Sequence, residues 1–262
     1  MAEDLRALHE HLERGRRTLK SSRGPADVTG AIEGVVADRY EIRRHIDAGG
    51  MGTIYEVWDR ELRRSLAMKV VRGRRPTNSC SQESWARAQA RLRNEARVLG
   101  DLVHPGIVPV HDVGETPGGD LFFAMQLVDG RHFEELIDEH HAGTGWPLTR
   151  LVDALRRVCE AVAHAHARGI VHRDLKPKNV MVGPFSETYV LDWGLAARVD
   201  AAATARAEPS AIAHANNPEQ SQVLSRTGGV VGTPGYMPPE QATHDPVAAD
   251  PRADVYSAGA IL

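Results

Sequence analysis

The chain has 262 residues, 42% of them apolar and 26% charged, with a net charge of −3 and a pI of about 6.5. That is enough for one large domain or two modest ones with a packed core, and it leaves no basic footprint for nucleic acid. Two cysteines, Cys80 and Cys159, make no disulfide framework and no C-x-x-C pair, as in a reducing compartment.

The start, Met1-Ala2-Glu3-Asp4, is acidic and has no apolar signal core, and no run approaches the ~18 apolar residues of a membrane span. Neither a signal peptide nor a spanning helix is expected. His140-His141 and His164-Ala165-His166 lack Cys or carboxylate companions at metal spacing, which argues against a histidine-built metal site. Within residues 1–37, Leu5, Leu8 and Leu12 recur at helical spacing, and Lys20 to Pro25 break the pattern. This reads as a surface helix and linker. A solvated extension is the plainer account, a partner-binding segment the alternative.

Folded structure is expected from about residue 38. Glu41 to Ile46 reads as a strand, Asp47-Ala48-Gly49-Gly50-Met51-Gly52 as a glycine-rich turn, and Thr53 to Trp58 as a second strand. Such a turn lets backbone N–H groups approach phosphates, although glycine turns more often just close hairpins. Leu66 to Val71 is a third strand, and Lys69 in its middle needs a partner or a ligand. After a polar loop, residues from about Glu83 to Leu99 favour helix. Leu92, Ala96 and Leu99 mark its buried stripe, and Glu95 beside them is the candidate partner of Lys69. His104 to Val110 is expected to open a strand pair that turns at Pro117-Gly118-Gly119-Asp120 and returns as Leu121 to Val128.

The second half reads as helical, with helices at His132 to Glu139 and Leu148 to Arg168, the latter stopped by Gly169. Val171-His172-Arg173-Asp174-Leu175-Lys176-Pro177-Lys178-Asn179 gathers a carboxylate, an ammonium and an amide into one loop, a usual place for chemistry. Tyr189-Val190-Leu191-Asp192-Trp193-Gly194 puts a carboxylate at a strand end, where a metal ligand of a nucleotide site would sit. Residues 197–226 read as a long loop. Gly232 to Glu240 close it, and Asp254 to Gly259 open an apolar helix.

With these residues placed, the chain resembles the eukaryotic-like serine/threonine protein kinases of bacteria, over about Tyr40 to Leu262. The resemblance rests on Gly-Gly-Met-Gly, Ala-Met-Lys, the helix glutamate, His-Arg-Asp-Leu-Lys-Pro-Lys-Asn, Asp-Trp-Gly, Gly-Thr-Pro-Gly-Tyr-Met-Pro-Pro-Glu and Asp-Val-Tyr-Ser, in that order. It implies an α+β, bilobal kinase fold, with a β-rich N-lobe over about 38–128 and a mainly helical C-lobe over about 129–262, behind the 1–37 extension. It also implies ATP in the cleft. Ile46, Gly49, Gly50, Gly52, Ile54, Ala67, Lys69, Met125, Gln126, Val128 and Met181 would contact the nucleotide, with Gln126 and Val128 offering backbone groups to the adenine. Lys69 would pair with Glu95, Asp174 would take the acceptor's proton, and Lys176 would offset charge on the moving phosphoryl group. Asn179 and Asp192 would hold Mg²⁺ or Mn²⁺.

Lys176 after Asp174 matches the serine/threonine pattern, and Thr233 matches the threonine that shapes the acceptor site. Arg173 before Asp174 implies control by loop phosphorylation, for which Ser225 and Thr227 are the matching positions. The implied partners are proteins with Ser/Thr acceptors, together with a homodimer for trans-autophosphorylation, and the implied location is cytoplasmic.

Several residues depart from the family pattern. Asp47 stands where the first glycine of the nucleotide loop is expected, which should weaken ATP binding unless it points to solvent. Trp193 replaces Phe in the metal-binding motif, and its ring is expected to stack on His172 and Leu99. Pro238 replaces Ala, and the loop before Gly232 is longer by roughly twenty residues. Related kinases continue past the helix at Asp254, and one of their later helices supplies an arginine to Glu240. The chain is therefore expected to be a fragment, or a gene product that lost its tail, with an incomplete C-lobe and a reduced or absent rate, and an anchor past Leu262 stays open. The alternative function is a nucleotide-binding scaffold inactive through truncation. A small-molecule phosphotransferase is disfavoured by the Gly232 to Glu240 segment.

Overall fold

The computed structural model describes residues 34–49, 52–71, 79–116, 118–199, 233–242 and 249–262. Its first lobe is an antiparallel sheet of β1 (Val35–Val36), β2 (Tyr40–Gly49), β3 (Gly52–Asp59), β4 (Arg64–Val70), β5 (Val110–Glu115) and β6 (Leu121–Gln126). The strand order is β1-β2-β3-β4-β6-β5, and helix α1 (Ser79–Asp101) packs against β5 and β6. In β3, Thr53, Tyr55, Val57 and Asp59 are buried and alternate with less buried residues, the period of a strand with one covered face. In β4 every residue from Leu66 to Val70 is buried, because β3 and β6 flank it. Lys69 is thus carried inside a central strand.

The second lobe contains α2 (Phe133–His141), α3 (Leu148–His166), α4 (Pro239–Ala242) and α5 (Arg252–Ile261). Short strands β7 (Arg131–His132), β9 (Val180–Val182) and β10 (Thr188–Val190) form one sheet, and β8 (Ile170–Val171) pairs with β11 (Ala197–Arg198). On α3, Leu151, Ala154, Leu155, Val158, Ala161, Val162 and Ala165 form the buried stripe. Gly169, at φ +67°, ends the helical path, and its N–H donates to His166 C=O at 2.9 Å. The α+β class and the two-lobe division match the expectation. No helix among the described residues is long and apolar enough to cross a membrane.

One hydrophobic cluster runs through both lobes. Leu99, Leu102 and Ile107 share it with Val158, Ala161, Val190 and Trp193. The loop after α1 is bonded into the second lobe, with Val190 N–H donating to Gly106 C=O at 2.9 Å and a parallel bridge between Ile107 and Val190. A Cβ at Gly106 would lie 3.1 Å from Ala161 Cβ and 3.2 Å from Thr188 O, so only glycine allows this approach without adjustment.

The elements differ from the sequence reading in five places. Residues 104–109 are a loop and the strand starts at Val110, since Pro105 and Pro109 lack ladder donors. Helix α1 begins at Ser79, ahead of Glu83. His132, expected to open a helix, instead pairs with β9 beside Arg131, and α3 ends at His166, before Arg168. Strand pairing is already present ahead of Tyr40, where Val35–Val36 pair with Glu41 and Tyr40 across a turn at Ala37 (φ 51°) and Asp38 (φ 54°). Ala-Asp does not advertise such a left-handed turn.

Candidate active site

Lys69 Nζ lies 2.7 and 2.8 Å from the two oxygens of Glu95 and 3.2 Å from Asp192 Oδ1. Lys69 and Glu95 are only 6% and 4% exposed, so their charges depend on each other. Burial works against the Lys69 charge, yet Glu95 and Asp192 outweigh it and hold the ammonium above the ordinary lysine range. Burial, joined by the negative charge of Asp192, pushes Glu95 upward, and the Lys69 ammonium against both its oxygens opposes this as its ion-pair partner. Asp192 also resists burial, and Lys69 keeps it below its usual value.

The loop from His172 to Asn179 is held from beneath by α5. Asp254, 1% exposed, accepts the backbone N–H groups of His172 and Arg173, both at 2.8 Å, and His166 Nε2 at 2.7 Å. Burial works to raise its pKa. The bond from His166, the nearby His172 and those two N–H groups overcome it and hold the carboxyl below its usual range. His172 Nδ1 accepts the N–H of Asp174 at 3.2 Å, and its Nε2 meets Leu191 O at 3.0 Å, which fixes the Nε2–H tautomer.

The Asp174 carboxylate is engaged on both oxygens. Oδ2 accepts Lys176 Nζ at 2.8 Å and Asn179 Nδ2 at 3.2 Å, and Oδ1 accepts the Thr233 hydroxyl at 3.2 Å. Lys176 also donates to Thr233 Oγ1 at 2.7 Å, closing a triangle of three side chains. Arg173, at φ +70°, carries a guanidinium whose charge burial disfavours, with Asp254 as partial counterweight. Among the described residues no carboxylate lies within ion-pair distance of that guanidinium.

Asn179 gives its Nδ2 to Asp174 O at 2.8 Å as well as to the carboxylate. Its amide oxygen is the group left for a cation, and Leu191 N–H donates to Asn179 C=O at 2.8 Å, which ties the strand end before Asp192 to it. An amide oxygen and an ionised carboxylate are hard donors of the kind Mg²⁺ or Mn²⁺ takes, so these residues fit such an ion. Among the described residues no cluster of three or more His, Cys, Asp and Glu side chains could hold a metal.

The residues expected around a nucleotide fall mainly on the first sheet. Gly49 pairs with Gly52, Ile54 with Lys69, and Ala67 with Met125. Gly52 has φ +139°, and a Cβ there would come within 2.6 Å of Val70 O, so the turn requires glycine. Ile46 is 38% exposed. Val128 follows β6, and Met181 sits on β9 opposite His132 and Tyr189. Gln126 spends its N–H on Pro109 O at 3.1 Å, so any contact from its backbone to a base would come through its carbonyl. Asp47 is exposed and accepts the N–H of Ala48 at 2.8 Å. Trp193 is fully buried, edge-on to His172 at 4.7 Å, in one cluster with Leu99. Gly50, Ser225, Thr227 and Gly232 lie outside the described residues.

Sequence reasoning missed His166 beneath Asp254 and Gln241, whose Nε2 donates to Arg173 C=O at 2.8 Å. Only the position of Gln241 directly after Glu240 could have drawn attention to it.

A family model described as the protein kinase domain matches residues 40–262. Serine/threonine-protein kinase PknD of Protochlamydia amoebophila is 31% identical over 240 residues, covering 87% of this chain and 23% of that protein. PknD of Mycobacterium tuberculosis is 34% identical over 225 residues, 85% of this chain and 29% of that protein. PknB of Mycobacterium tuberculosis is 34% identical over 230 residues, 87% and 32% respectively. The chain therefore spans only 23% to 32% of the length of these relatives.

Proposed function

Because the chain belongs to the protein kinase family, among the eukaryotic-like serine/threonine kinases of bacteria, we propose that it transfers the γ-phosphoryl group of ATP to serine or threonine hydroxyls of proteins. The observation that carries this reading is the Asp174–Lys176–Thr233 triangle, a carboxylate with a cation and a hydroxyl converging on it. Asp174 orients the acceptor hydroxyl and takes its proton as the new oxygen–phosphorus bond forms. The bond from the γ-phosphorus to the β–γ bridging oxygen breaks, and ADP leaves. Lys176 offsets charge on the phosphoryl oxygens, and Lys69, steered by Glu95, holds the α- and β-phosphates. Asn179 and Asp192 would hold Mg²⁺ or Mn²⁺, which when bound neutralises phosphate charge.

Control by phosphorylation of the loop before Thr233 belongs to the same proposal. Arg173 supports it as a cation disfavoured by burial, with no carboxylate at ion-pair distance among the described residues, suited to a phosphate at Ser225 or Thr227. The test is radiolabelled ATP with a generic protein acceptor, comparing the native chain with Asp174→Asn. Label on serine and threonine that vanishes in the variant is the expected result. Nucleotide binding without Asp174-dependent label would instead make this a scaffold.

A further inference from the structure

The peptide unit that carries Asp174 is gripped from two sides. Arg173 has φ +70°, a left-handed backbone that a residue with a Cβ keeps only when its surroundings hold it. The N–H of the Arg173–Asp174 peptide donates to His172 Nδ1 at 3.2 Å. The C=O of that same peptide accepts Gln241 Nε2 at 2.8 Å. Just before it, Arg173 N–H is held by Asp254 Oδ1 at 2.8 Å. With both of its polar atoms bonded, this peptide plane cannot rotate, and the plane sets where the Asp174 carboxylate points.

Gln241 sits on α4, in the same described segment, 233–242, as Thr233. That segment therefore reaches Asp174 twice. Thr233 bonds its carboxylate directly, and Gln241 bonds the carbonyl just before it. A carbonyl oxygen needs a donor, and the Gln241 amide supplies one without adding charge.

We propose that Gln241 is a positioning residue for phosphoryl transfer. Through the Arg173 carbonyl it fixes the peptide plane that orients Asp174, and it makes that orientation depend on docking of the acceptor-side segment. This rests on the kinase reading above.

Three variants test it. Gln241→Met keeps the length and removes the donor, Gln241→Glu keeps the shape but presents a carboxylate, and Gln241→Lys restores a donor. Met and Glu should lower kcat about tenfold, as loss of one part-buried hydrogen bond to an oriented group predicts, and leave KM for ATP within about twofold. Lys should recover most of the kcat. Amide hydrogen exchange across residues 172–176 should quicken in Met and Glu and return toward native in Lys, a readout that needs no activity. Native kcat and exchange in Gln241→Met would overturn the inference. So would a loss that follows Tm and ATP affinity and is not rescued by Lys. If the native chain shows no Asp174-dependent label, the kinase reading fails by itself, and the exchange pattern still decides whether Gln241 holds the loop.

Discussion

Asp254 and His172 are joined by a 2.8 Å bond from the His172 backbone N–H to the Asp254 carboxylate, across 82 residues of chain. The same carboxylate takes Arg173 N–H and His166, so one buried side chain sets the foundation of the loop that carries Asp174. Asp254→Ala leaves two N–H groups without their acceptor. It should cost about 2–5 kcal/mol of stability, read by denaturant unfolding, and remove most of the kinase activity. Because Asp254 is held below its unfolded pKa, its contribution is present above that value and is lost as pH falls through the lower, folded one. Asp254→Asn should lack this acid-side loss, which paired pH-stability curves would reveal.

Lys69→Met removes the cation between Glu95 and Asp192. Glu95 is then buried without a counter-charge, and stability should fall by about 3–5 kcal/mol. Adding Glu95→Gln should recover much of that stability and none of the phosphoryl transfer. A double-mutant cycle on unfolding and on activity separates the two effects.

Thr233→Ser keeps the hydroxyl that bridges Lys176 and Asp174, and Thr233→Ala deletes it. Serine should retain most of kcat, whereas alanine should lose roughly tenfold to a hundredfold with nearly unchanged ATP affinity. Steady-state kinetics with a protein acceptor would check this, and equal rates for the two variants would contradict it.

Asp59 anchors the start of the first sheet. It is fully buried and takes Arg39 Nε at 3.0 Å and Nη2 at 2.8 Å, together with the N–H groups of Glu61 and Leu62. The bond from Arg39 leads in lowering its pKa from 3.8 to about 2. A depressed carboxyl stabilises above its unfolded pKa and stops doing so as pH falls through the folded value. Asp59→Asn should therefore be less stable at neutral pH by about 1–2 kcal/mol, discounted for solvent at Arg39. The gap should close between about pH 4 and pH 2 in acid-unfolding experiments.

Much of this site is legible in the sequence because its chemistry permits few residue types. A lysine inside an apolar strand, a glutamate beside a helix stripe and the His172 to Asn179 loop each carry a local signal. Lys69 and Glu95 do meet, and Asp174, Lys176 and Thr233 form one group. What escapes is long-range and has no period. His166 faces Asp254 across 88 residues and Gln241 faces Arg173 across 68, and neither shows in spacing or propensity. Residues 104–110 mislead for a different reason. Ile107-Val108 looks like a strand core, but the flanking prolines and the close approach at Gly106 turn it into a buried splice.

That splice sets where the carboxylate of Glu95 is anchored from. The chain just past the end of α1 is joined through Leu102 and Ile107 to the larger lobe. Glu95 lies seven residues from Leu102, a lever arm of about 10 Å at 1.5 Å rise per residue, and a swing of about 12° carries it about 2 Å. A displacement of that size would part Glu95 from Lys69, and Leu92, Ala96 and Leu99, buried in the same cluster on either side of Glu95, oppose it, so the splice and the core together hold the glutamate to its lysine.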